Sequence, residues 1–339
     1  MTSSISLIDK REQRFRSLVL LTILVIYLVV LAGGIVRGTG SGMGCPDWPK
    51  CFGRWVPPTE ISQLPANYQT IYGAKLKGEI EFNAVKTWIE YINRLLGVLA
   101  GFFVFGTLIA SLSYLRKDKV VFWGSFLSFL LLGLNGWLGS RVVATELAQY
   151  LISLHLLLAI AVVFTLLFVF VRSNTSLLKF EPKQKKVKAL RLLLLVIMLL
   201  TLFQTALGTQ VRDALDQVVK QLGYGQREKW IEGLNWSFYV HRSFSLIVLA
   251  FHIAVIYQLR SVSQNGSIKR VVNGLIVLVI LEIGTGVIMA YMNVPAAAQP
   301  IHLLLAVLIM GLQFMAWLLV NPALIEPKMN NRATQLIEI

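Results

Sequence analysis

Eight apolar stretches, each long enough to cross a bilayer, leave this chain few ways to fold. A membrane-spanning helix needs about 20 predominantly apolar residues. The stretches cover roughly 17–36, 87–113, 120–140, 150–171, 191–211, 237–259, 271–292 and 300–320. Inside lipid every backbone polar group must be paired within the structure, which leaves helices or a closed barrel. The apolarity is continuous rather than alternating, so it selects helices. The expected fold class is therefore all-α integral membrane protein. Lys10, Arg11, Arg14 and Arg16 precede the first stretch. That stretch is too long for the apolar region of a signal peptide and lacks a cleavage site, so it reads as a retained first helix.

Basic residues orient the helices. With the N-terminus inside, the inner segments hold 19 of the 32 Lys and Arg, concentrated in short loops, as the positive-inside rule expects. The termini are then cytoplasmic and the membrane is the cell's plasma membrane. A net charge of +15 follows from this topology and from attraction to anionic lipid. It calls for no nucleic acid.

The chain repeats itself. Gly33-Gly34-Ile35-Val36-Arg37 returns as Gly208-Thr209-Gln210-Val211-Arg212, closing helices one and five. Tyr91-Ile92-Asn93-Arg94 returns as Tyr239-Val240-His241-Arg242, and Leu154-His155-Leu156-Leu157-Leu158-Ala159 as Ile301-His302-Leu303-Leu304-Leu305-Ala306. Two four-helix bundles in the same orientation follow, related by an axis along the membrane normal. The expected organisation is a cytoplasmic segment 1–16, an N-terminal bundle 17–172 with an external loop 38–86, and a basic linker 173–190. A C-terminal bundle 191–321 and a cytoplasmic tail 322–339 complete it. Lys183, Lys185, Lys186 and Lys188 mark the linker.

Residues 38–51 are rich in glycine, but no Gly-Lys-Ser/Thr follows, so they form no phosphate loop. Cys45 and Cys51, the two cysteines of the chain, fall outside the membrane. That position favours a disulfide over a metal site, which would need further ligands. Trp55, Pro57 and Pro58 suggest an ordered cap over the bundle.

A carboxylate inside an apolar run is costly and is a functional candidate by default. Glu90 is such a residue and shares a helix face with Asn93. A structural pairing with Arg94 competes with catalysis. Catalysis is favoured because the repeat has Phe238 at this place, so one half alone keeps the acid. His155, His241 and His302 lie near the outer ends of their helices. Two histidines at one depth on facing helices can grip a haem iron axially, which His241 and His302 satisfy. The matching pair in the first half is Asn93 and His155. Zinc would want three or four clustered ligands. His252 sits deeper and reads as a packing residue. Arg37, Arg94, Arg141, Arg212 and Arg242 gather toward the outer face. They could hold haem propionates or snorkel to the interface.

These residues resemble the haem A synthases. Arg37 through Cys51, Glu90 through Arg94 and the two His-Leu-Leu-Leu-Ala stretches carry the resemblance, which runs from about 18 to 320. It implies haem b on His241 and His302 in the C-terminal half. It also implies haem O in the N-terminal half, oxidised at its C8 methyl to the formyl group of haem A through an alcohol. Glu90 is then the catalytic carboxylate, His155 the ligand to substrate haem, and Asn93 and Arg94 part of that site. The external cysteine pair matches one branch of the family. Asn93 stands where the family usually has His, which implies substrate haem on His155 alone. Haem O synthase and factors of terminal oxidase assembly become candidate partners, with an unidentified electron donor and homo-oligomerisation left open. A second reading is a two-bundle b-type cytochrome carrying electrons from quinol without haem chemistry, for which Glu90 has less use. A transporter suits the repeat, but no helix is clearly broken at mid-depth.

Overall fold

The computed structural model describes residues 2–73, 81–174, 184–262 and 266–325. Part of the expected linker, Lys183 included, and the tail beyond 325 lie outside the described residues. Among the described residues, the eight long helices are α1 (Thr2–Gly38), α2 (Ala84–Ser111), α3 (Lys119–Ala144), α4 (Gln149–Ser173), α5 (Gln184–Leu222), α6 (Trp236–Val262), α7 (Gly266–Tyr291) and α8 (Ala298–Leu319). All eight are long and apolar enough to span a membrane. This is a multi-pass α-helical membrane protein.

Two ends differ from expectation. Helix one begins well before residue 17, because the polar segment from Thr2 continues the same helix. Helix five does not stop at Arg212 but runs to Leu222. The reason is a second, amphipathic stretch: Ala214, Leu215 and Val218 recur at helical spacing and bury themselves against Trp230, Leu234 and Val294. The 39 residues of α5 measure about 58 Å at about 1.5 Å per residue, far more than a bilayer core.

Packing groups the helices in two rings. α1 packs on α2, α2 on α3, α3 on α4 and α4 back on α1; α5, α6, α7 and α8 do the same. The rings meet where α8 packs on α1 and α4. This grouping is compatible with the four-helix repeat, and it makes α2 and α4, like α6 and α8, diagonal partners across a bundle. Each ring has its own apolar core: Leu190, Leu194, Val255, Leu275 and Leu318 in one, Val19, Val104, Val121 and Leu166 in the other.

Lipid supplies no hydrophobic drive between helices, so close approach and polar contacts must hold them. Gly34 and Gly38, one turn apart, supply the approach of α1 to α8. A Cβ at Gly34 would lie 3.0 Å from Pro300 Cα, and one at Gly38 would lie 3.2 Å from the carbonyl of Ala296. Polar contacts tie neighbours within a bundle: Thr22 Oγ1 to Thr107 Oγ1 at 2.9 Å and Ser128 Oγ to Thr165 Oγ1 at 3.0 Å. At the end away from residues 38–73, Arg172 makes a bidentate pair with Asp118 (2.7 and 3.1 Å) and caps the carbonyl of Leu324. Asp118 also caps α3 by accepting from the Val120 amide.

A methyl group at Gly34 would press on Pro300 and force α1 and α8 slightly apart. Gly34→Ala is expected to destabilise the detergent-solubilised protein by about 1–3 kcal/mol through overpacking, seen as a lowered thermal midpoint. Gly133→Ala, where a Cβ meets nothing within 4 Å, should leave the midpoint unchanged or slightly raised through helix propensity.

Candidate functional site

At the end where residues 38–73 lie, the loop folds onto α2. Cys45 and Cys51 form a disulfide and are buried with Phe52, Leu64 and Tyr68. Asp47 closes the turn by accepting from the amides of Phe52 (2.6 Å) and Gly53 (2.8 Å). Gly44 permits the contact with α2, because a Cβ there would sit 2.5 Å from the carbonyl of Lys86. Outside the membrane-spanning helices, burial and the nearby Asp47 carboxylate raise the Tyr72 hydroxyl above its usual range.

Glu90 and Arg94 fasten this loop. Glu90 is 4% exposed. One of its oxygens meets Arg94 Nη2 at 2.5 Å and the other accepts from the Cys45 amide at 2.9 Å. The Arg94 guanidinium continues to the carbonyls of Asp47 (2.7 Å), Lys50 (3.0 Å) and Cys45 (3.2 Å). A pair spaced i,i+4 on one helix thus becomes a four-point clasp on the disulfide turn. Trp55 is held as well, its carbonyl accepting from the Tyr91 hydroxyl at 2.6 Å.

Beneath the loop, the first bundle gathers buried polar atoms without partners: Asn93 Oδ1 on α2, Asn135 Oδ1 on α3 and His155 Nδ1 on α4. The second bundle has Gln204 Oε1 on α5, His241 Nδ1 on α6 and Glu282 Oε2 on α7. Buried polar atoms are nearly always paired, so these orphans, matching at Asn93/His241 and Asn135/Glu282, make the two regions candidates for polar or metal-bearing ligands.

The histidines of the second bundle face each other across it. The ring centroids of His241 and His302 are 6.4 Å apart and their planes cross at 72°. Two imidazoles that ligate one metal through bonds of about 2 Å each place their ring centres at roughly this separation. Glycines make room for the rings: a Cβ at Gly208 would come 3.3 Å from His241 Cε1, and one at Gly139 3.1 Å from His155 Cε1. At Gly33, which the repeat aligns with Gly208, a Cβ would meet nothing within 4 Å. Asn93, standing where the repeat has His241, does not reach it. The donor set fits a haem in the second bundle.

The remaining candidates are spoken for to different degrees. The repeat-equivalent arginines Arg37 and Arg212 share Asp216, each at 2.7 Å. Arg212 also donates to the carbonyl of Arg37 at 2.8 Å and to Gln299, so these two lock bundle to bundle. Arg141 and Arg242 are exposed, with Arg242 Nη2 3.4 Å from the Tyr291 hydroxyl. His252 is the packing residue expected of it: Nδ1 meets the carbonyl of Val248 at 2.8 Å and Nε2 meets Gln313 at 2.9 Å. Sequence reading passed over Glu282, whose carboxylate lies 3.3 Å from His302 Nε2, and Thr285, 2.9 Å from His302 Nδ1. Glu282 is the sole acid of the sixth to eighth apolar stretches and was visible by the rule that singled out Glu90.

Fold and site together define a membrane protein of two helical bundles, one of which presents a half-buried imidazole pair suited to a metal. Compared with known proteins, residues 16–314 match the COX15-CtaA family, described as cytochrome oxidase assembly protein. The chain belongs to this family. Among curated relatives named heme A synthase, that of Bacillus cereus is 26% identical over 129 residues, 38% of this chain and 34% of the relative. That of Shewanella oneidensis is 27% identical over 154 residues, 45% and 44% of the two chains. That of Bacillus mycoides is 24% identical over 165 residues, 48% and 45%. The matched part of the chain therefore spans between about a third and just under half the length of these relatives.

The clasp makes a measurable claim. Breaking a buried ion pair by removing one partner costs about 3 kcal/mol or more, so Arg94→Leu should raise local opening of the turn at 45–54 roughly a hundredfold. Limited proteolysis of the folded protein should cut there in the variant while the wild type resists. The disulfide itself should persist, with no free thiol on labelling of the unreduced, denatured chain.

Proposed function

We propose that this protein is a haem A synthase. It takes haem O in the first bundle and oxidises the C8 methyl to a formyl group through an alcohol, delivering haem A for a terminal oxidase. The observation that carries the reading is the contrast between bundles: an imidazole pair in one, a single imidazole and an amide in the other. A pair suits a resident six-coordinate haem, here haem b, whereas a lone imidazole suits a haem that arrives as substrate and leaves as product. Family membership and the relatives' names support the same activity.

Haem b, when bound, supplies one-electron redox chemistry, and His241 and His302 would hold it. In the first bundle His155 would hold the substrate. Asn93 offers a carboxamide, a weak ligand beside imidazole, and so leaves the opposite side to other chemistry. Glu90 is buried at this end of α2 with its charge balanced by Arg94. From that post it would stabilise the positive charge, or accept the proton, that oxidation of the methyl releases. Arg37, Arg94 and Arg212 are engaged elsewhere, so Arg141 and Arg242 are the better propionate partners. The basic excess at the opposite end of the helices would place both termini in the cytoplasm and both haem sites toward the outer face of the plasma membrane. Haem O synthase and oxidase assembly factors are the partners this role implies.

Co-expression with a source of haem O, followed by haem extraction and chromatography, tests the activity. Haem O, its alcohol or haem A in the purified protein is the expected result, and haem b alone would favour an electron carrier. His241→Ala and His302→Ala should each abolish the low-spin haem b spectrum. Glu90→Ala should retain haem O or the alcohol without reaching the aldehyde, and full haem A production would refute its chemical role. Asn93→Ala should keep much of the activity. Asn93→His, with the open space at Gly33 to enter, should give a six-coordinate low-spin spectrum for the bound substrate.

A further inference from the structure

The two bundles carry the same histidine with one neighbour changed. Thr285 precedes His302 by 17 positions, as Leu138 precedes His155. The register is fixed in space as well. A Cβ at Gly286 would lie 3.6 Å from His302 Cε1, and one at Gly139, the matching position, 3.1 Å from His155 Cε1. What differs is the side chain next to each glycine, Thr285 in one bundle and Leu138 in the other.

Thr285 Oγ1 donates to the carbonyl of Glu282 at 2.9 Å and lies 2.9 Å from His302 Nδ1. A hydroxyl has one proton. With that proton on the carbonyl, the oxygen can accept from Nδ1–H, which would leave Nε2, now 3.3 Å from a Glu282 oxygen, as the nitrogen free to ligate a metal. Leu138 is buried at 3% exposure and offers no acceptor. His155 Nδ1 is accordingly buried without a hydrogen-bond partner. An acceptor on the far ring nitrogen orients a ligating histidine and raises its basicity, and its loss typically costs 10–100-fold in metal affinity.

We infer that Thr285 is the positioning residue that makes the second bundle retain its haem, and that Leu138 in the same place leaves the His155 imidazole unclamped, so the first bundle can release one. The inference rests on the haem reading given above, and its test separates the two. A wild-type protein without any low-spin haem would overturn that reading and this one together. With the haem present, only the present inference is at stake.

The experiment uses the full-length haem-loaded protein in detergent, with apomyoglobin as the haem acceptor. Thr285→Val, equal in shape but without the acceptor, should speed transfer of the low-spin haem about 10–100-fold. It should also raise the midpoint potential, because a less basic imidazole stabilises the ferric state less. Thr285→Ser should restore both values. Leu138→Thr should slow the loss of haem from the first bundle by a comparable factor while leaving the low-spin haem untouched. If Thr285→Val fails to fold, Thr285→Ala removes the same hydroxyl with less volume. A lowered thermal midpoint with unchanged transfer rate and unchanged potential would show that Thr285 merely braces α7, and would overturn the proposal. So would a Leu138→Thr variant whose first-bundle haem leaves as fast as the wild type's.

Discussion

A helix crossing lipid satisfies its own backbone, but each polar side chain at that depth must find its partner within the protein. The architecture can be read as answers to that demand. Hydroxyl pairs join neighbours, as Thr22 joins Thr107. At the centre of the second bundle Gln313, fully buried, donates to Thr201 and meets His252. Such contacts are individually small, about 0.6 kcal/mol in a membrane protein. Their value lies in direction: they fix which helix faces meet. The polar atoms left over include Asn93, His155, Gln204, His241 and Glu282, and also Tyr114, Gln313 and Trp317 at other depths.

Close approach does the rest. α8 lies against α1, α4, α5 and α7, a position open only to a helix that others can approach closely. Gly34 and Gly38 let α1 do so, and Gly311 makes room for the Tyr27 hydroxyl. At the loop end the equivalent arginines Arg37 and Arg212 converge on Asp216. Repetition brings like residues together at the junction, and one acid neutralises both. The relation between bundles is thus set by apolar contact along α8 and closed by charge at one end.

The two bundles differ in the side chains at matching positions. The imidazole on α6 is matched by an amide on α2, and Thr285, against His302, by Leu138. The carboxylates sit differently too: Glu90 clasps the disulfide turn from α2, whereas Glu282 faces His302 from α7.

The eight helices were legible in the sequence, because lipid imposes a length and an apolarity that no tertiary context can override. The buried role of His252 and the Cys45–Cys51 pair were legible for a similar reason, being set by local position. The extension of α5 to Leu222 was not, since its amphipathic end is stabilised only by Trp230 and Val294 arriving from elsewhere. Nor was the clasp of Glu90 and Arg94 on the carbonyls of the turn. Spacing puts the two residues on one helix face, but what they grip depends on where a distant loop settles. Thr285 was hidden most completely. A threonine in an apolar run is unremarkable until helix packing sets its hydroxyl against one nitrogen of His302, and hydrogen bonding between helices is decided by distances that a linear pattern does not contain.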